Sequence, residues 1–197
     1  MSKNSQTRRP VDRRAQRTRM ALADALIALG PRIGLDALEI RTLTEEAGVG
    51  RSTFYSHYSD KDDFLITSYG GMVAMCDEAA RAKPGWRGVL PSREVFAHVE
   101  GARAFALSLV SSGQFARTQA AREAKLHPIA EANLARLYPR MTPARRRELA
   151  VFLSGAFAGL MRWWMDSGLR QSAAHMHDVF ETLAARVLAD ERDSGLS

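Results

Sequence analysis

Arg51, Ser52, Thr53, Tyr55, Ser56 and His57 crowd a guanidinium, hydroxyls, a phenol and an imidazole into one short stretch, interrupted only by Phe54. That set suits the edges of base pairs. Arginine pairs bidentately with guanine, serine and threonine reach thymine or phosphate, and a helix opening on these residues turns its first backbone N–H groups toward phosphate. Lys61 adds an ammonium a few positions later that can meet a phosphate. The remaining sequence offers no catalytic constellation: no phosphate-binding glycine loop, no dinucleotide turn and no nucleophile elbow. His98 and His127 are isolated, and His175 and His177 point to different faces of one helix, so no metal is expected. Cys76 lies among Met, Val and Ala and reads as a buried, inert thiol. No enzyme activity and no cofactor are expected.

The elements that must hold this cluster can be read from spacing and punctuation. A short helix from about Arg41 to Ala47 turns Leu43 and Ala47 inward, and Gly48-Val49-Gly50 breaks it. A second short helix opens at Arg51 and closes near Tyr58, with Phe54 and Tyr58 four apart to pin it to a core. Two short helices joined by so tight a glycine-bearing turn form a helix-turn-helix, whose second helix enters a major groove. Ahead of them a helix from Arg13 to Leu29 buries Leu22, Ala25, Leu26 and Leu29, and Gly30-Pro31 is expected to end it. Behind them a long helix from Asp60 to Ala82 is capped by Ser59 or Asp60. Ser92 is read as the cap of a helix reaching Ser112, with further helical stretches at 114–125 and 128–138. Thr142-Pro143 opens a helix running to residue 167, and Ser172 opens the last one.

The charge agrees with a polyanionic partner. The 197 residues are 46% hydrophobic and 25% charged, with net charge +6 and a pI of about 10. Residues 1–20 hold Lys3, Arg8, Arg9, Arg13, Arg14, Arg17 and Arg19 against Asp12, so this segment carries the whole excess. Residues 1–12 are expected to be a disordered basic arm that follows phosphates or enters a minor groove. The expected fold class is all-α. A three-helix helix-turn-helix domain spans 13–66, a helical effector and dimerisation domain spans 67–190, and 191–197 form a flexible tail. One cysteine and the absence of an apolar leader fit a reducing cytoplasm. The longest apolar run, Leu149 to Met161, is too short to span a bilayer, so no membrane partner is expected.

The stretch from Leu43 to Leu65, with Ala47, Gly48, Val49, Thr53, Tyr55, His57, Tyr58, Lys61 and Phe64 in place, closely resembles the DNA-binding signature of TetR-family regulators. The resemblance extends over residues 15–66. Its Arg-Ser-Thr-Phe-Tyr-x-His-Tyr-x-Asp-Lys form is most similar to the branch containing dihydroxyacetone-kinase regulators. It implies that Arg41 and Thr42 contact phosphates from the first helix of the motif. Arg51, Ser52, Thr53, Tyr55, Ser56 and His57 would then act from the recognition helix, and Lys61 from the helix that follows. Thr44 stands where the family usually has alanine, so its hydroxyl must find a carbonyl. Gly50 stands where a capping serine is common. The resemblance further implies double-stranded DNA with a palindromic operator as partner, and release when a small molecule enters the C-terminal domain.

Beyond residue 66 the reading rests on pattern. Leu153, Phe157, Leu160 and Trp164 share one face of the 143–167 helix, and Gly155, Ala158 and Gly159 share another that leads to Arg162. Met176, Val179, Phe180, Leu183 and Val187 stripe the last helix. The two helices are expected to pair with their two-fold copies as a four-helix bundle. The homodimer interface would then hold Gly155, Ala158, Gly159, Arg162, Val179 and Leu183. An effector cavity is assigned to Tyr69, Phe105, Phe115, Phe157, Met161 and Trp164, with Met72 and Phe96 as further members, although each is more often plain packing. The scarcity of buried-looking carboxylates favours an apolar or neutral effector. The expected function is a sequence-specific repressor released by that effector. The alternative is a coregulator whose C-terminal domain takes a protein partner.

Overall fold

In the computed structural model, which describes residues 13–189 and 191, every regular element is a helix. Helix α1 (Arg13–Ile33) buries Leu22, Ala25, Leu26 and Leu29, as its spacing predicts. It does not stop at Gly30-Pro31. The ring of Pro31 holds a φ that a helix accepts and deletes only one donor near the end, so the chain runs on until Gly34 takes a left-handed φ of 83°. Gly30 has a different role: a Cβ there would lie 2.9 Å from the Phe105 ring, so its bare backbone makes room for a residue of the second half of the chain.

Helices α2 (Ile40–Glu46) and α3 (Arg51–Tyr55) form the tight corner. Gly48 turns it at φ 65°, and the Val49 N–H donates to the Thr44 carbonyl at 3.0 Å. The Thr44 hydroxyl donates to the Arg41 carbonyl at 2.9 Å, which satisfies it inside the crossing. Helix α4 (Lys61–Arg81) starts on Asp60, whose carboxylate accepts from the Asp63 N–H at 2.8 Å. The Asp63 carboxylate accepts in return from the Ser59 N–H at 2.9 Å, so the helix start is held from both sides.

The remaining elements are α5 (Ser92–Gly101), α6 (Arg103–Ser111), α7 (Gln114–Arg117), α8 (Gln119–Ala124), α9 (His127–Leu137), α10 (Pro143–Asp166) and α11 (Ala173–Val187). Ser92 is not a cap. It is the first residue of α5, and its buried hydroxyl donates to Glu181 at 2.7 Å and meets His177 Nδ1 at 2.8 Å, fastening α5 to α11. The helix expected to reach Ser112 breaks at Ala102 into α5 and α6, and the 114–125 stretch breaks at Thr118 into α7 and α8. Thr142 and Ser172 do cap, accepting from the N–H groups of Arg145 and His175.

Two apolar clusters result. The N-terminal one joins α1 to the start of α4, from Leu22 to Leu65. The C-terminal one runs from Val73 to Leu188, with Phe96, Phe157, Trp164 and Phe180 packed in tilted and edge-to-face contacts through its middle. Burying an aromatic of this kind stabilises by roughly 1.5–3 kcal/mol relative to leaving it exposed. Helix α4 runs through both clusters, while Phe105 and Leu109 of α6 pack onto the N-terminal one. No helix among the described residues is long and apolar enough to cross a membrane.

Candidate nucleic-acid interface

Helix α3 is only five residues long, and its sequence divides it cleanly. Phe54 is fully buried and Tyr58, just past the helix, is 3% exposed. Their rings pack with Phe64 at centroid distances of 4.9–5.6 Å. Burial pushes the Tyr58 phenol above its ordinary pKa, against the downward pull of the Arg19 guanidinium. With that side clamped, Arg51, Ser52, Tyr55 and Ser56 face solvent, and Thr53 and His57 are half-buried at the edges. Tyr55 stands 50% exposed with its ring edge-on to Phe54, so its aromatic body is braced while half of the residue stays open to solvent. Ser56 donates to the Thr53 carbonyl at 2.7 Å, leaving its oxygen as an acceptor.

On α2, Arg41 is exposed and pairs with Glu45 at 3.3 Å, while Thr42 is half-buried. An exposed i,i+4 pair of this kind contributes only about 0.3–0.5 kcal/mol, so a phosphate can displace the carboxylate. Lys61 departs from expectation. Its ammonium donates to the carbonyls of Leu35 at 2.7 Å and Leu38 at 3.3 Å, tying α4 to the turn between α1 and α2. The ammonium read as a phosphate contact is therefore engaged as an internal strut. The basic arm of residues 1–12 and most of the 191–197 tail lie outside the described residues.

In the C-terminal half the residues assigned to a cavity separate. Phe157 and Trp164 are fully buried core, with the Trp164 indole N–H donating to the Gln171 carbonyl at 2.9 Å. Phe105 serves the contact with α1. Tyr69, Phe115 and Met161 do come together, around a crevice of about 10 Å³, which is room for roughly one water. Its other walls are Ala158 and three residues the sequence reading passed over, Gln119, Arg122 and Glu123.

The small face of α10 is also redirected. A Cβ on Gly155 would lie 3.3 Å from Glu123 Oε1, and Ala158 lines the crevice, so both turn toward α8 of the same chain. What α10 presents to solvent is Val151, Phe152, Gly159, Arg162 and Trp163, with Leu183 exposed and Val179 half-buried on α11. Val151, Phe152, Trp163 and Leu183 are each more than half exposed, an unusual density of large apolar side chains for a free surface.

An all-helical chain whose N-terminal domain offers a clamped, polar recognition helix behind a glycine turn is a helix-turn-helix protein. Residues 23–67 match the family model for bacterial regulatory proteins, tetR family, so this stretch is a DNA-binding domain of the TetR type. Among solved structures it is similar to the dihydroxyacetone kinase operon activator DhaS, with TM-score 0.63 and 10% identity over 87% of this chain and 96% of that one. It is also similar to the transcriptional regulator FadR from Bacillus subtilis in complex with stearoyl-CoA, with TM-score 0.53, 14% identity and coverage of 84% and 96%. The fatty acid degradation regulator FadR from Bacillus halodurans gives TM-score 0.54, 12% identity and coverage of 85% and 94%. No curated protein matches the sequence.

Proposed function

We propose that the chain acts as a homodimeric, sequence-specific repressor that leaves its operator when a small molecule enters the C-terminal domain. The observation that carries the reading is the division of α3, with Phe54 and Tyr58 clamped inward and Arg51, Ser52, Tyr55 and Ser56 outward. Arg51 and Thr53 then read base edges. Ser52, Tyr55, Ser56 and His57, with Arg41 and Thr42 on α2, fix register on the phosphates. Lys61 acts indirectly, by holding the start of α4 to the turn between α1 and α2.

Dimerisation is supported by the exposed apolar side chains of α10 and α11. Phe152, Trp163 and Leu183 would be covered by their two-fold copies, with Gly159 at the close approach and Arg162 and Val179 at the margins. Two recognition helices related by that axis call for a palindromic operator. The effector part of the reading draws on FadR, a protein of the same fold solved with stearoyl-CoA. A second reading is a coregulator that takes a protein partner. It is favoured by a crevice that holds only about one water, and activation is favoured by the name of DhaS, an operon activator. Selection from a random-sequence duplex pool by the full chain tests the core of the proposal. A palindrome should be enriched. Enrichment of a single unpaired half-site, or of no sequence, would overturn it.

A further inference from the structure

The crevice between α4, α7–α8 and α10 has four apolar walls and three polar ones, two of them the charged Arg122 and Glu123. The Arg122 guanidinium lies 3.7 Å from the Phe115 ring centroid and 5.4 Å from that of Tyr69. Its Nε donates to the Thr118 hydroxyl at 3.1 Å, and one terminal nitrogen donates to the Phe115 carbonyl. Among the described residues no carboxylate forms an ion pair with it, whereas nearby Arg117 and Arg162 are paired with Asp36 and Asp166. Burial draws the Arg122 pKa down to about 10 and pushes that of Tyr69 up to about 12. A guanidinium stacked on one face and fixed at one edge, with N–H groups to spare, is a planar fork for an oxyanion.

The surroundings supply a way for an occupant to be felt. The crevice as it stands holds only about one water, so a larger guest must push α7–α8 outward. That segment is two short helices that follow Gly113, in a left-handed φ of 69°, and are separated from each other by the break at Thr118. It reaches the N-terminal domain through Arg117, 3.6 Å from Asp36. Tyr69, on the other wall, belongs to α4, whose first turn follows the recognition helix directly.

We propose that this crevice is the anion subsite of the effector pocket, where Arg122 takes the carboxylate or phosphate of a small organic anion whose apolar body packs on Phe115 and Met161. The proposal rests on the effector reading above and replaces the neutral ligand expected from sequence with a charged one. Entry of the anion displaces α7–α8 and with it the Arg117–Asp36 tie. Glu123, half-buried on the same wall, opposes the incoming charge and limits its affinity.

The test is calorimetric titration of the full chain with sodium hexanoate, hexyl phosphate and the neutral hexanamide, alongside anisotropy of a selected operator duplex. The expected result is that at least one anion binds roughly tenfold or more tightly than hexanamide. Whichever of hexanoate and hexyl phosphate binds better identifies the headgroup. Arg122→Gln should abolish the preference, Arg122→Lys should keep part of it, and Glu123→Gln should tighten anion binding several-fold, by roughly the effect of removing one like charge. Equal binding of hexanoate and hexanamide to the unaltered protein overturns the proposal with no need of a variant. So does binding of no probe, or full anion affinity in an Arg122→Gln protein that melts like the parent. Arg122-dependent anion binding that leaves DNA affinity unchanged would support the subsite and remove the effector reading. DNA release by hexanamide as readily as by the anions would keep the effector reading and remove the anion subsite.

Discussion

The start and the middle of helix α4 sit in two differently built regions. At its N-terminal end the chain makes corners of fixed geometry. Asp60 and Asp63 hold the helix start, Lys61 is bonded to the Leu35 and Leu38 carbonyls, and Phe54, Tyr58 and Phe64 lock α3 in place. Further along, beside Tyr69, it meets α7 and α8, two short helices separated by a break, around a guanidinium with no carboxylate partner among the described residues. A surface that reads DNA must present its side chains in one arrangement. A sensor must have a second arrangement within reach. The contrast between a locked corner and an interrupted one is what the proposed reading and sensing roles would require.

The sharpest way to break the comparison is at Phe54, which is fully buried beneath the recognition helix. Phe54→Ala should cost about 3–5 kcal/mol and abolish DNA binding, read by calorimetric melting and a gel shift. A loss under 1 kcal/mol would mean that α3 is not clamped as described. Next comes Arg51→Ala. It should weaken binding to the operator by about 1–3 kcal/mol and relax base preference at one position per half-site, while the melting temperature stays put. Phe152→Glu with Trp163→Glu should convert a dimer to a monomer in sedimentation analysis; an unchanged mass would place the interface elsewhere. Gly30→Leu should cost about 1–3 kcal/mol, because any Cβ there meets the Phe105 ring at 2.9 Å and wedges α1 from α6.

The smallest effect is electrostatic. The Ser59 backbone N–H holds the Asp63 carboxyl below the ordinary carboxylate range, helped by the hydroxyls of Thr67 and Ser59. A carboxyl with its folded pKa depressed stabilises the fold above its unfolded pKa and loses that contribution as pH falls through the folded one. Melting temperature should therefore decline on the acid side, and Asp63→Asn should flatten that decline. Identical slopes for the two proteins would show that Asp63 is not a source of it.

The N-terminal domain was legible because each of its decisions is local. Gly48-Val49-Gly50 sets the corner, Phe54 and Tyr58 fall four apart, and Asp60 caps within its own turn. What spacing does not show there concerns groups whose partners are distant in sequence. Lys61 bonds carbonyls 26 and 23 residues earlier, and Gly30 yields to Phe105. The same holds more strongly beyond residue 66. Ser92 has the type and position of a cap, but Glu181 and His177 claim its hydroxyl from 89 and 85 residues away. Gly155 and Ala158 form a small face that spacing finds, while the element filling it, α8, follows only from the packing. Arg122 left no signal at all. An arginine among Gln119, Glu123 and Lys125 reads as a solvated helix face until Tyr69 and Phe115 are brought over it.

The central claim is that α3 reads a DNA sequence. It is tested most directly by fluorescence-anisotropy titration of duplex DNA from upstream of the protein's own gene, beside a scrambled duplex, at two salt concentrations. The account predicts tight binding to the upstream duplex alone, falling steeply as salt rises, with the preference lost in Arg51→Ala. Binding that is indifferent to salt, or a preference that survives Arg51→Ala undiminished, would contradict it.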